Sequence, residues 1–315
     1  MKLEEVVEEF MLDCRARGLS QSTLDWYEKL LGHFAAFIGS DADDITPSDC
    51  RAFMAHLHTV KAYEGHPTRD PDSKGLSNSY IHAHWRALRR LFRWSVEEEL
   101  LKTNPMASIK APKLEYKLPR VLEDHEVRAL LDACSTSLSV RNRAIILLFL
   151  DTGIRVGELV GARIEDIKNS QGLLKVRGKG RKERLVPLSE TVLKALRGYI
   201  SHRSSGPIFL ARRGTPLTAQ GVRMMLRRRC EWAGLERIGP HALRHTFARN
   251  WVRRGGDLES LRRILGHASL ETVRIYLRMV GNDLKAIHRR VSPVGGVGFA
   301  VQLNLWEESE SCTMV

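Results

Sequence analysis

The sequence predicts a mainly α fold with a small β-sheet, divided into a helical N-terminal domain and a mixed α+β second domain. Three observations carry this expectation. The first hundred residues show only helical spacing of apolar side chains. A stretch bearing Pro105, Pro112 and Pro119 among lysines then interrupts the chain. Beyond it, helical patterns resume around two short β-type runs that flank a glycine-rich basic turn. A length of 315 residues is enough for two domains, each with its own core.

In the N-terminal part, Leu3, Val6, Val7, Phe10 and Met11 follow helical spacing until Gly18, and Ser20 or Ser22 can cap the next helix. That helix presents Leu24, Tyr27, Leu30, Leu31, Phe34 and Phe37 on one face. Thr46 followed by Pro47 reads as an N-cap with proline at the first helical position. After a polar loop from about Lys61 to Gly75, Ser77 opens a long helix. Its apolar side carries Ile81, Trp85, Leu88, Leu91, Phe92 and Val96, interleaved with Arg86, Arg89, Arg90 and Arg93. The two faces suit a bundle that turns a basic side toward a polyanion.

The proline stretch also holds Lys102, Lys110, Lys113 and Lys117, and is the clearest domain boundary. The expected division is a helical domain 1–104, a basic linker 105–119, a second domain 120–291 and a tail 292–315. In the second domain helices are expected at about 122–135, 139–151 and 155–161. Strands at 173–176 and 183–188 form a hairpin whose tip is Arg177-Gly178-Lys179-Gly180-Arg181-Lys182. Helices then follow at about 189–200, 218–233, 240–254, 257–265 and 269–290.

A net charge of +13 points to a polyanionic partner. The excess is concentrated: Gly221 to Arg254 holds nine arginines against two acidic residues. The longest apolar run, Ala144 to Leu150, is too short for a membrane span and reads as a buried helix. The acidic, amphipathic start MKLEEVVEEF is not a secretory signal, so the expectation is a cytoplasmic protein without a membrane partner. Five scattered cysteines without a C-x-x-C pair argue against zinc ribbons and disulfide frameworks. Acidic clusters at Asp41-Asp43-Asp44, Asp70-Asp72 and Glu97-Glu98-Glu99 read as solvated surface. The pairs His56/His58 and His82/His84 are two apart on helices, so they diverge and read as surface or partner-facing side chains. Neither pattern supports a metal nuclease, and no metal or other cofactor is expected.

Cationic residues stand instead at structured places. Arg155 follows the Thr152-Gly153 turn at a helix start, where it can meet an anion or simply pair with Glu158. Lys179 sits between two glycines that let backbone approach a partner closely. In Gly239-Pro240-His241-Ala242-Leu243-Arg244-His245, His241 and Arg244 share a helix face and can hold one phosphate. His241 and His245 also have metal-ligand spacing, but no carboxylate or cysteine joins them nearby. In Leu265-Gly266-His267, followed by a helix from Ser269, His267 lies at a junction and Tyr276 on the next helix. Each feature alone has an ordinary structural explanation.

Together, in order and spacing, Arg155, Lys179, His241, Arg244, His267 and Tyr276 resemble the active-site set of the tyrosine recombinase, or phage integrase, family. The compact Xer-like site-specific recombinases are the most similar members, and the resemblance covers the whole chain. It implies a helical, SAM-like core-binding domain followed by a tyrosine-recombinase catalytic domain. It further implies that Tyr276 attacks a DNA phosphate and leaves a 3′-phosphotyrosine, without metal or ATP. Arg155 and Arg244 would grip the phosphate, and His241 and His267 would add hydrogen bonds, one of them acting as base. Lys179 would protonate the leaving oxygen, with Glu158 orienting Arg155. The implied partners are double-stranded DNA, a homo-tetramer on two recombination sites, and a related recombinase.

Two alternatives stand beside this reading. One is a non-catalytic DNA-binding accessory protein of the same fold; the other is a topoisomerase or telomere resolvase sharing the chemistry. The apolar stretch Phe299 to Trp306, ahead of an acidic tail, suits a strand or an extended docking segment; docking in trans, packing in cis and disorder all stand open.

Overall fold

The computed structural model describes residues 1–39, 41–60, 76–114, 119–134, 138–178, 183–267 and 269–280, with His288 and Ser292. The expected 61–75 loop, the hairpin tip with Lys179, the continuation of the last helix and the tail beyond Ser292 lie outside the described residues. The chain separates into two compact units, Met1–Lys117 and Leu118–Val315.

The first unit is built from α1 (Leu3–Ala16), α2 (Gln21–Ile38), α3 (Pro47–Thr59) and α4 (Asn78–Glu97). Thr46 and Ser77 cap α3 and α4 as the sequence signals, whereas Ser20 stands at the N-cap position of α2 without a side-chain cap hydrogen bond. Thr46 Oγ1 accepts from Asp49 N at 3.4 Å, and Asp49 Oδ2 accepts in return from Thr46 N at 2.9 Å. Ser77 Oγ accepts from Tyr80 N at 3.3 Å. The core interleaves aromatic rings edge to face, with Phe34 5.0 Å from Phe53 and Phe10 5.3 Å from Trp94. Met106 and Ile109, within the proline-bearing stretch, are also buried in this core, and Ile109 O accepts from Trp85 Nε1 at 3.0 Å.

One sequence expectation fails here. His84 is not on the surface but fully buried. Its Nδ1 is 3.1 Å from Tyr80 O, and its Nε2 is 3.3 Å from His33 Nδ1. The Tyr80 carbonyl and His33 satisfy both ring nitrogens, which is what lets a neutral imidazole stay in an apolar core. Helical spacing alone could not reveal a partner 51 residues away.

The second unit contains α5 (Asp124–Asp132), α6 (Ser139–Thr152), α7 (Val156–Gly161), α8 (Glu190–Ile200), α9 (Ala219–Trp232), α10 (Pro240–Arg253), α11 (Leu258–Leu265) and α12 (Glu271–Val280). Helix α6 is the centre: Ala144, Ile145, Ile146, Leu148 and Phe149 have no exposed surface. An all-round apolar helix of this kind has to be surrounded. The expected hairpin forms as β2 (Leu173–Arg177) and β3 (Glu183–Pro187), with Leu174 opposite Val186. A short antiparallel strand not read from the sequence, β1 (Ile167–Lys168), extends the sheet to the order β1-β2-β3. Two residues are too few for a periodic signal.

The arginine-rich region is also less of a surface than its composition suggests. Arg229, Arg244 and Arg249 are buried. Arg249 pairs with Glu123 and donates to Leu122 O at 2.8 Å, joining α10 to the entry of α5. Among the described residues, no helix is long and apolar enough to cross a membrane.

Candidate active site

The site forms where two turns of the second unit meet the first half of α10. Gly153 ends α6 in the left-handed conformation, φ +59°. A Cβ there would fall 2.5 Å from Phe247 and 2.7 Å from Leu265, so only glycine fits. The tight turn delivers Arg155 to the N-cap position of α7. There the backbone N–H of Arg155 donates to Glu158 Oε2 at 2.8 Å, and its guanidinium donates to Glu158 Oε1 at 3.1 Å and to Gly266 O at 3.1 Å.

Gly266 closes α11 in the same way, φ +65°. This second turn supplies two acceptors to arginines: Gly266 O for Arg155, and Leu265 O for Arg244 at 2.8 Å. Arg244 is 4% exposed, and also donates to Gly153 O at 2.6 Å. Its other contact is His267 Nε2, at 2.7 Å. A guanidinium can only donate, so Nε2 accepts and the neutral imidazole carries its proton on Nδ1. That Nδ1 is buried and has no partner among the described residues.

The electrostatics follow from three arginines close together in a partly dry site. Burial, then the Arg155 charge, lowers the Arg244 pKa to about 10, which leaves it cationic at neutral pH. Burial, then Arg244, Arg155 and Arg184, pushes His267 down to about 4. Burial, His241 and Arg244 do the same to His245, also to about 4. His241 stands at the exposed start of α10; desolvation, then Arg244, Arg155 and Arg223, holds it below its ordinary value. The histidines are thus neutral hydrogen-bonding groups at neutral pH, and the positive charge resides on arginine.

Tyr276, on α12, is 1% exposed and among the largest fully buried side chains. Its hydroxyl is 3.0 Å from His245 Nδ1. Burial raises the phenol pKa, against the lowering pull of Arg244 and Arg155. Of the six residues singled out in the sequence, five come together around the α10 N-terminus and the Gly266 turn; Lys179 lies outside the described residues. Among the described residues there is no group of three or more His, Cys, Asp or Glu side chains that could hold a metal ion.

Two participants had weaker signals. His245 was legible only as a packing residue. Arg184 was not singled out at all, yet it grips Glu158 through two bonds, 2.6 and 2.9 Å long. Its strand position was the available clue: Arg184 is two residues from the buried Val186, and so points to the same side of β3. A charged residue on an inward face must have a buried counter-charge.

Comparison with known proteins gives the family. A profile described as "Phage integrase family" matches residues 120–281, and one described as "Phage integrase, N-terminal SAM-like domain" matches residues 6–102. Tyrosine recombinase XerC of Pelotomaculum thermopropionicum is 31% identical over 312 residues, covering 91% of this chain and 97% of that one. Tyrosine recombinase XerD of Oceanobacillus iheyensis is 32% identical over 308 residues, covering 92% and 99%. A structure of a lambda integrase fragment, solved as a dimer bound to a COC′ core site, aligns with a TM-score of 0.72 at 23% identity, covering 90% of this chain and 98% of that one. The chain belongs to the phage integrase family, with a SAM-like N-terminal domain ahead of the integrase catalytic fold. Within that family it is an Xer-like tyrosine recombinase, a site-specific DNA recombinase.

Proposed function

We propose that this recombinase cuts and rejoins duplex DNA by transesterification onto Tyr276, with Arg155, Lys179, His241, Arg244 and His267 as the phosphate-handling set. The observation that carries this reading is the convergence of Arg155 and Arg244 on the carbonyls of one turn, Leu265 and Gly266, next to His267. The Tyr276 oxygen forms a bond to the scissile phosphorus as the bond to the 5′-oxygen breaks, giving a 3′-phosphotyrosine and a 5′-hydroxyl. The phenolic proton passes to a base, and Lys179 gives a proton to the departing 5′-oxygen. The guanidiniums of Arg155 and Arg244 stabilise the charge that builds on the non-bridging oxygens. A single preorganised donor of this kind contributes about 2.7–4 kcal/mol. Attack by a 5′-hydroxyl reverses the step, and since one phosphoester replaces another, no ATP is consumed.

The tautomer of His267 divides the histidine roles. Its Nε2 is engaged by Arg244, so the proton it has left to offer a phosphate is on the buried Nδ1, which must be uncovered as substrate binds. His267 therefore serves as a donor, and His241, exposed and held neutral, is the stronger candidate for the base. Tyr276 must leave its buried position before it can attack, so substrate binding includes a displacement of α12 that breaks the His245 contact.

Double-stranded DNA is the proposed partner of both units. In the first, Arg86, Arg89 and Arg93 are exposed along α4, with Arg89 5.0 Å above the Trp85 ring and Arg86 5.7 Å from that of Trp26. Rings beneath guanidiniums hold the charges outward for phosphates. Assembly as a homo-tetramer on two sites, or with a related recombinase, and docking of the tail 292–315 complete the proposal, as does the division into domains at 1–104 and 120–291 with the linker 105–119.

A nicked suicide duplex tests the chemistry. The site is first selected from a random pool on the Tyr276→Phe protein, and wild-type protein is then expected to form a covalent adduct that Tyr276→Phe does not. No adduct, or one that persists in Tyr276→Phe, overturns the assignment. Recombinant products, rather than relaxed circles or hairpin ends, separate recombination from the other strand-transfer activities.

A further inference from the structure

We propose that Arg184 is a positioning residue of this site: it takes up the negative charge of Glu158, so that the charge of Arg155 is left for the phosphate. The inference rests on the reading of Arg155 as a phosphate-gripping residue and adds a condition for it.

Glu158 is 5% exposed, and a buried carboxylate must be paired. Two guanidiniums compete for it, and they do so unequally. Arg184 meets both oxygens, Nη1 to Oε1 at 2.6 Å and Nη2 to Oε2 at 2.9 Å, the fork-on-fork geometry of a strong pair. The guanidinium of Arg155 makes a single, longer contact of 3.1 Å to Oε1. Arg184 also donates from Nε to Ile264 O at 2.8 Å, so all three of its nitrogens are turned inward. Its side chain is 16% exposed against 40% for Arg155. Arg184 is thus consumed by the protein, whereas Arg155 keeps an open side.

Charge then decides the consequence. Arg155, Arg184 and Arg244 surround one buried carboxylate, and the neighbouring histidines are neutral. With Arg184 present, two positive charges remain for an incoming phosphate. Without it, Glu158 would draw Arg155 into the bidentate position, and the phosphate would face a neutral pair beside Arg244. Arg184 also lies beneath the Gly266 turn: a Cβ on Gly266 would come within 3.0 Å of its guanidinium. A purely structural role through that packing is the rival explanation, and the test separates the two.

The test uses the full chain as Arg184→Gln, Arg184→Lys and the double variant Arg184→Gln/Glu158→Gln, all assayed well below their melting temperatures. Single-turnover cleavage of the selected suicide duplex and the Kd for inorganic phosphate are both measured. Arg184→Gln is expected to slow cleavage about 10–100-fold, the range seen when supporting partners of an ion-binding group are lost. The double variant, which removes the carboxylate charge as well, is expected to recover at least about tenfold of that loss, as contacting charged pairs couple on that scale. Arg184→Lys keeps the charge and is expected to fall between wild type and Arg184→Gln.

A double variant no faster than Arg184→Gln, or an Arg184→Gln protein that cleaves like wild type, overturns the proposal. Phosphate affinity reads the same order without any cleavage. If wild-type protein forms no Tyr276 adduct while phosphate affinity follows that order, the catalytic assignment fails and the role of Arg184 stands. If the adduct forms normally and phosphate affinity ignores Arg184, the reverse holds.

Discussion

The hydroxyl of Tyr276 lies 3.0 Å from Nδ1 of His245, and both side chains are held neutral, the imidazole at a pKa of about 4 and the phenol above its ordinary value. The proposed nucleophile is therefore kept in the core by a neutral hydrogen bond, in a state that cannot reach a phosphate. Such bonds contribute about 0.5–1.5 kcal/mol net, enough to hold a side chain and small enough to be exchanged for a substrate contact.

His245→Ala removes the partner of Tyr276 inside the core. Tyr276 is expected to become more accessible in the absence of DNA, by about two- to tenfold if the bond contributes that energy. Nitration by tetranitromethane, mapped by peptide mass spectrometry, measures it. Equal protection of Tyr276 in both proteins would mean that packing of α12, not this bond, keeps the tyrosine inside.

Gly153→Ala should damage both fold and site. It forces a side chain into a backbone at φ +59° and against Phe247 and Leu265. Strain and overpacking together are expected to cost about 2–5 kcal/mol, measured by urea unfolding. The same carbonyl accepts from Arg244, so cleavage should fall more steeply than stability accounts for. Wild-type cleavage in a destabilised Gly153→Ala protein would disprove that link.

Stability should fall with acid in a window set by the histidines. His245 and His267 both drop from 6.5 to about 4 on folding, so between these values the unfolded chain binds more protons than the folded one. Their contribution is complete above pH 6.5, declines as pH falls, and is gone below about 4. Denaturation midpoints across that range, in wild type and in His267→Gln, measure it. The variant is expected to show the shallower slope, and an equal slope would remove His267 from the explanation.

On α4 the exposed arginines predict a salt signature. Arg93→Ala should weaken binding to any duplex about equally and reduce the slope of log K against log salt by about one. A change confined to one sequence would make Arg93 a base-reading residue instead.

The helices and their caps were legible because helical spacing, Thr46, Ser77 and the two turn glycines act locally. The proposed catalytic set was legible only as a pattern, since every member has an ordinary structural reading by itself. What local sequence could not supply was partner choice. His84 reads as a surface histidine until His33 comes against it, and Arg184 reads as a strand residue until Glu158 does.

Tyr276 marks the same division most clearly. By itself the sequence determined the fold class and the family, and it singled out five proposed site residues that the structure brings together, because spacing along the chain encodes periodicity and motif. Only the tertiary structure decided that Tyr276 is stored in the core against His245, and that Glu158 belongs to Arg184 more than to Arg155. Burial and charge pairing depend on which segments meet in space, and those distances are set by packing.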